Sequence, residues 1–178
     1  MTEAHTMNVL EHALAYAAIG WAVLPLHGIV QGRCTCGDIN CSKRGKHPIP
    51  RNGLKEATTD EGTIRNWWRE FPDANVGIAT GEVSGLIVID VDDGPEKAGF
   101  SSLEALQSKH GTIPREACVR TGGGGLHIYL AAPGQLVRSS AGKLAPNIDV
   151  RGEGGYVVAP PSLHVSGRNY VWETHHAA

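Results

Sequence analysis

The sequence predicts a mixed α/β domain of the α+β kind, built on a largely antiparallel sheet. Two segments with helical apolar spacing fall early in the chain, at 8–19 and 58–71. Short strand-like runs separated by Gly, Pro and Ser fill the second half. Between them, LIVIDV at 86–91 is apolar almost without a break, as expected of a central strand. Early helices followed by many strands define the class.

In chain order, NVLEHALAYAAI (8–19) places Val9, Ala13 and Ala17 on one stripe beside Leu10, Leu14 and Ala18, and Gly20 stops the helix. WAVLPL (21–26) reads as a strand that Pro25 confines to a sheet edge. Residues 28–53 form a polar insertion with clustered cysteines and a basic run. Thr58 and Glu61 have capping-box spacing for a second helix, whose stripe Ile64, Trp67, Trp68 and Phe71 reads as core packing rather than base stacking; Pro72 ends it. NVGIAT (75–80) is a strand, and Ser101 with Glu104 spaces a capping box for a third helix through about residue 109. ACVR, LHIYL, NIDVR, GYVVAP and NYVWE are the remaining strands.

With 178 residues, the chain is most simply one domain with a proper core. No apolar run approaches the ~20 residues that cross a bilayer, and MTEAHTMNVLEH lacks a secretory signal's basic flank and apolar stretch, so a cytoplasmic location is expected. The closing HHAA reads as a cut end, so the chain is expected to be an excised domain. Sixteen basic against 18 acidic residues give a net charge of −2, which argues against a binder that works by bulk phosphate neutralisation. A local basic groove remains compatible with that balance.

The chemistry begins at LIVIDVDDG (86–94). Side chains alternate along a strand, so Leu86, Val88, Asp90 and Asp92 share one face. Asp90 and Asp92 would lie about 6–7 Å apart at their Cβ atoms. Their repulsion is tolerable around a hard divalent cation such as magnesium or manganese. Asp93 has the opposite parity and reads as turn chemistry. In NIDVRGEGG (147–155), Asp149 and Arg151 share a face, an acid beside a guanidinium where a metal and a phosphate are held together; Glu153 reads as a solvated turn residue. In RTGGGGLHIYL (120–130), His127 and Tyr129 share a face behind four glycines, and Arg120 offers a phosphate contact. The glycines match neither a Walker A loop nor a dinucleotide fingerprint.

GRCTCGDINCSKRGKHPIP (32–50) offers Cys34, Cys36, Cys41 and His47, with His27 as an alternative fourth ligand. Three thiolates and an imidazole make a tetrahedral zinc set, and with all four positions filled by protein the zinc is structural. Crowded cysteines in a reducing compartment favour metal over disulfides. Cys118 reads as a small buried side chain. Lys43, Arg44 and Lys46 on the knuckle are either a solvated face or a grip on phosphates, to which Lys55 would add.

The ordered series LIVIDVDD, GGGLHIYL and IDVRGEGGYVVAPPS resembles the three motifs of the archaeo-eukaryotic primase superfamily, and most closely its bifunctional DNA primase/polymerase domains of plasmids and phages. ALAYAAIGWAVLPL, KEATTDEGTIRNWWREFPDANVGIATG and GGYVVAPPSLHVSGRNYVWE extend the likeness over about residues 9–173. The resemblance implies a catalytic core related to the RNA-recognition-motif fold, a smaller α/β subdomain, and the zinc-knuckle insertion within one domain spanning 1–178. It implies metal binding by Asp90, Asp92 and Asp149, nucleotide-phosphate contact by His127, and further contacts from Arg151 and Arg120. The implied activity is template-dependent nucleotidyl transfer: primers are made or extended on single-stranded DNA from nucleoside triphosphates by a two-metal mechanism, alongside a fused or separate replicative helicase. The family's Lys/His/Pro segment coincides with Lys46–His47–Pro48 even in members without the cysteines, so His47 stays open as a ligand. The competing functions are a non-catalytic zinc-containing module that binds single-stranded DNA, and a metal-dependent or nicking nuclease.

Overall fold

The computed structural model describes residues 7–173, and the closing HHAA lies outside them. Its elements are α1 (Val9–Ala18), β1 (Val23–Leu26), β2 (Ile29–Val30), β3 (Arg33–Cys34), α2 (Glu61–Glu70), β4 (Asn75–Ala79), β5 (Leu86–Val91), β6 (Asp93–Gly94), β7 (Lys97–Ala98), α3 (Gly99–His110), β8 (Cys118–Arg120), β9 (Leu126–Ala131), β10 (Ser140–Ala145), β11 (Ile148–Arg151), β12 (Tyr156–Ala159) and β13 (Val171–Glu173). The α/β class holds, mostly sheet with three helices. The strands divide between two principal antiparallel sheets rather than one. The larger runs β10-β11-β5-β9-β8-β13 and the smaller β1-β4-β12.

Pro25 has its place because β1 is an edge strand. The apolar run of β5 lies near the middle of the larger sheet because both its faces are covered. Ile89, Val91, Leu126, Ile128, Ile148 and Val150 pack on Leu103 of α3. The opposite face sends Leu86, Val88, Val119 and Tyr129 into a second core with Ile64, Trp68, Val76, Ile78 and Val157, contributed by α2 and the smaller sheet. The tryptophans of α2 therefore serve packing, with Trp68 Nε1 donating to the Ala74 carbonyl at 3.2 Å. Cys118 is buried in the α3-side core, as expected of a small apolar side chain.

Both expected capping boxes shift. α2 is capped by Asp60, whose carboxylate accepts from the Thr63 N–H at 2.8 Å, while Thr58 accepts from the Asp60 N–H and Glu61 pairs with Arg65. Asp is as good a cap as Thr, and the helix takes the nearer one. Neither Ser101 nor Glu104 caps α3. Asp93, seven residues upstream, accepts from the Phe100 N–H at 3.2 Å. The cap of α1, Asn8 with Glu11, is a reciprocal box that the sequence reading did not mark.

Asp60→Ala should lower stability by more than Glu61→Ala, because it strips the cap of α2, whereas Glu61→Ala should cost only the exposed i,i+4 pair, about 0.2–0.5 kcal/mol. Urea unfolding of the two variants checks which residue starts α2.

Candidate active site

Antiparallel pairing sets Asp90 of β5 opposite Asp149 of β11 on one side and opposite His127 of β9 on the other. Directly opposite side chains stand only ~4.5–5.5 Å apart at Cβ, so the three form a row across adjacent strands. Arg151, two residues beyond Asp149, shares their face. Toward the Leu86 end this face is buried against the smaller sheet; at the row it opens into a cleft of about 480 Å³. Lys43 and Lys46 of the knuckle, Asp92, Lys97, the glycine turn and Tyr156 to Val158 of β12 complete its walls.

The expected carboxylate repulsion is answered by cations of the chain itself. Arg151 Nη2 donates to Asp149 Oδ2 at 2.9 Å and to Asp90 Oδ2 at 3.0 Å, so one guanidinium bridges both. Asp149 also accepts from the Gly142 N–H at 2.9 Å. His127 Nε2 lies 3.4 Å from Asp90 Oδ1. Asp92, just past the strand, pairs with Lys97 at 2.7 Å; both are half exposed, so the pair contributes little stability. Burial alone would raise the pKa of Asp90, but the His127 hydrogen bond and the charges of His127 and Arg151 outweigh it and hold the carboxyl well below the usual range. Asp90 is thus ionised at any working pH. His127 Nδ1 is buried and has no hydrogen-bond partner in the protein, which leaves the imidazole bonding capacity.

Two expected residues play other parts. Arg120 faces the opposite way, because its neighbour Val119 is the residue opposite His127. It ion-pairs with Glu173 at 2.6 Å and covers the Phe100 ring of α3, away from the cleft. Glu153 accepts from the Glu82 N–H at 3.0 Å and so fastens a turn rather than merely facing solvent. The four glycines form the tight β8–β9 turn, with Gly124 at φ +106° and its N–H donating to the Thr121 carbonyl. Gly125 is pressed onto the Val91 carbonyl, where a Cβ would collide. Tyr129 packs beside Trp21 and Trp172 in the core and is no nucleophile. Tyr170 went unmarked in the sequence yet lines the cleft, 5.9 Å from His127 ring to ring; burial, then Asp90 and Asp92, push its pKa up. Lys97 and Tyr156 were also unmarked; no motif carries Lys97, and Tyr156 lies within the third motif without having been singled out.

In the knuckle, Cys34, Cys36, Cys41 and His47 bring their ligand atoms within 4.8 Å of one another. Cys34 Sγ and Cys41 Sγ each lie 3.5 Å from His47 Nε2. A tetrahedral ion with ordinary Zn–S and Zn–N bonds sets that separation at about 3.5 Å, so the donor set fits zinc. His27 stacks beside His47 at 4.4 Å and bonds Thr35 through Nδ1, which leaves His47 as the fourth ligand. Among the described residues this is the one such group drawn so closely together; Asp90, Asp92 and Asp149 are more widely spread.

The family model for bifunctional DNA primase/polymerase N-terminal domains (Prim-Pol) matches residues 13–178. The chain belongs to this family. No curated protein matches it. Membership points to a primase/polymerase role in nucleotidyl transfer. No helix among the described residues is long and apolar enough to cross a membrane.

The depressed pKa of Asp90 gives a stability signature. Because the folded value lies below the unfolded one, the stabilisation is complete above the unfolded pKa of about 3.9 and is lost as pH falls toward the folded value. Asp90→Asn should therefore be less stable than wild type at neutral pH, with the gap narrowing below about pH 4. Denaturant unfolding at neutral and acid pH measures it.

Proposed function

We propose that this domain makes or extends primers on single-stranded DNA, joining nucleotides from nucleoside triphosphates along the row Asp149, Asp90 and His127. One observation carries the reading: two acids and an imidazole stand directly opposite one another on three strands, with Asp90, His127 and the neighbouring Arg151 in the wall of a cleft. The single-domain organisation over 1–178, with 28–53 as an insertion, is supported by the core that the two sheets share. We place its work in the cytoplasm, in plasmid or phage replication, beside a fused or separate helicase.

In this reading the 3′-hydroxyl of a primer or initiating nucleotide attacks the α-phosphate of the incoming triphosphate, and pyrophosphate leaves. Asp90, Asp92 and Asp149 would hold magnesium or manganese ions, which supply activation of the hydroxyl and charge for the attacking and leaving oxygens. Low pKa and oxygen chemistry make Asp90 a fitting ligand. His127, in the cleft wall beside Asp90, orients a phosphate. Arg151 offsets charge that develops on the triphosphate. Lys97 and Arg151 neutralise the acids, and both line the cleft where a triphosphate would bring its charge. A pure binding module would gain nothing from such a row of acids.

Asp149→Asn keeps the shape and removes the ligand charge. It should abolish extension of a preformed primer while leaving the unfolding transition cooperative. Arg151→Ala should weaken productive triphosphate use by roughly 1.5–3 kcal/mol. Primer extension and de novo synthesis, assayed separately with magnesium or manganese, measure both effects. Equal extension by wild type and Asp149→Asn would overturn the mechanism; no extension by wild type would favour the binding module.

A further inference from the structure

Lys43 and Lys46 form a ridge between two clefts. On one side lies the catalytic cleft with Asp90, Asp92 and Asp93. On the other lies a cleft of about 410 Å³, walled further by Arg44 and His164. Among the described residues that line this second cleft, none is acidic and none is Tyr, Trp or Phe. The ridge lysines therefore face carboxylates on one side and none on the other. A chain of net charge −2 has concentrated positive charge here.

The backbone that carries these cations is held in place. Asn75, 3% exposed at the start of β4, donates to the Gly45 carbonyl at 2.8 Å and to the Leu163 carbonyl at 2.9 Å, and accepts from the Leu163 N–H at 2.9 Å. One buried amide thus ties the knuckle to the segment that bears His164. Lys46 is fixed through its carbonyl, which accepts from the Tyr156 hydroxyl at 2.8 Å. The Gly45 N–H lies 3.5 Å from Cys34 Sγ, so the metal-binding set and the basic ridge share one backbone. Burial lowers the pKa of His164, and the charges of Lys46 and Arg168 lower it further, so the lysines and arginines carry the positive charge.

We propose that this second cleft binds the phosphodiester backbone of a nucleic-acid strand on its way to the catalytic cleft. With Lys43, Arg44 and Lys46 in its walls and no acid among its lining residues, it is suited to gripping phosphates, contacts that position a strand without reading its bases. The nucleotidyl-transfer reading enters only in calling the strand template or primer. The triphosphate of a free nucleotide offers the same chemistry, and the test separates the two sources.

The test uses the full chain with its zinc content measured, a labelled single-stranded oligonucleotide, and fluorescence anisotropy across a salt series without nucleotide. Arg44→Ala should bind more weakly and flatten the slope of log affinity against log salt by about 0.7, the value of one phosphate contact. An oligonucleotide of abasic sites should suffer the same loss, and affinity for a nucleoside triphosphate should stay unchanged. Arg44→Lys keeps the charge but drops the Nε bond to the Cys41 carbonyl, and should retain the wild-type slope. Ser42→Glu adds a negative charge to the cleft and should weaken strand binding even if Arg44→Ala fails to fold. Unchanged strand binding in Ser42→Glu, an unchanged slope in zinc-loaded Arg44→Ala, or a loss confined to the nucleoside triphosphate would overturn the proposal. Strand binding is read apart from extension. A wild type that binds as described but never extends a primer would overturn the transfer reading and leave this site standing.

Discussion

A single guanidinium nitrogen, Arg151 Nη2, stands 2.9 Å from Asp149 and 3.0 Å from Asp90. Two carboxylates on adjacent strands would otherwise repel across a half-buried sheet face, where charge is poorly screened. The register depends on this accommodation. Asp149 can stand opposite Asp90 because Arg151 is two residues along on the same face, and Asp90 tolerates burial because His127 meets it from the other side. The apolar residues of β5 then anchor the row between two cores, one toward α3 and one toward the smaller sheet. A site built on paired strands is held more rigidly than one built on loops.

The smaller sheet and the knuckle extend this framework into a cleft. β12 gives the larger cleft Tyr156, whose hydroxyl also holds the Lys46 carbonyl, and β4 gives Asn75, which clamps the knuckle from the opposite end. The knuckle has few apolar side chains of its own to bury, so its order comes from the Cys3His set and from these two polar ties. Zinc in this position would be structural in its chemistry yet would govern where Lys43 and Lys46 stand.

Much of the site was legible in the sequence because strands have a strict period of two. Parity alone placed Asp90 with Val88, Asp149 with Arg151, and His127 with Tyr129 on shared faces. The facing of Arg120 depended on the register that sets Val119 opposite His127. What parity does not give is pairing between distant strands, so the contact of Asp149 with Asp90 came only with the fold. Lys97 and Tyr170 belong to no motif and reach the cleft through turns and tertiary packing. The choice of His47 over His27 likewise came only with the fold, which lays the two rings side by side and turns only the His47 Nε2 to the thiols. Helix starts were misjudged because several residues near each start can cap, and Asp93 does so from seven residues away.

The account centres on the row of Asp149, Asp90 and His127 as the place where metal and nucleotide meet. Crystals soaked with manganese and a non-hydrolysable nucleoside triphosphate test it directly through anomalous scattering. The account predicts anomalous density among Asp90, Asp92 and Asp149, with Arg151 and Lys97 released from the carboxylates and phosphate oxygens beside His127 and Arg151. Manganese bound elsewhere, with Arg151 still bridging Asp90 and Asp149 and the triphosphate away from His127, would contradict it.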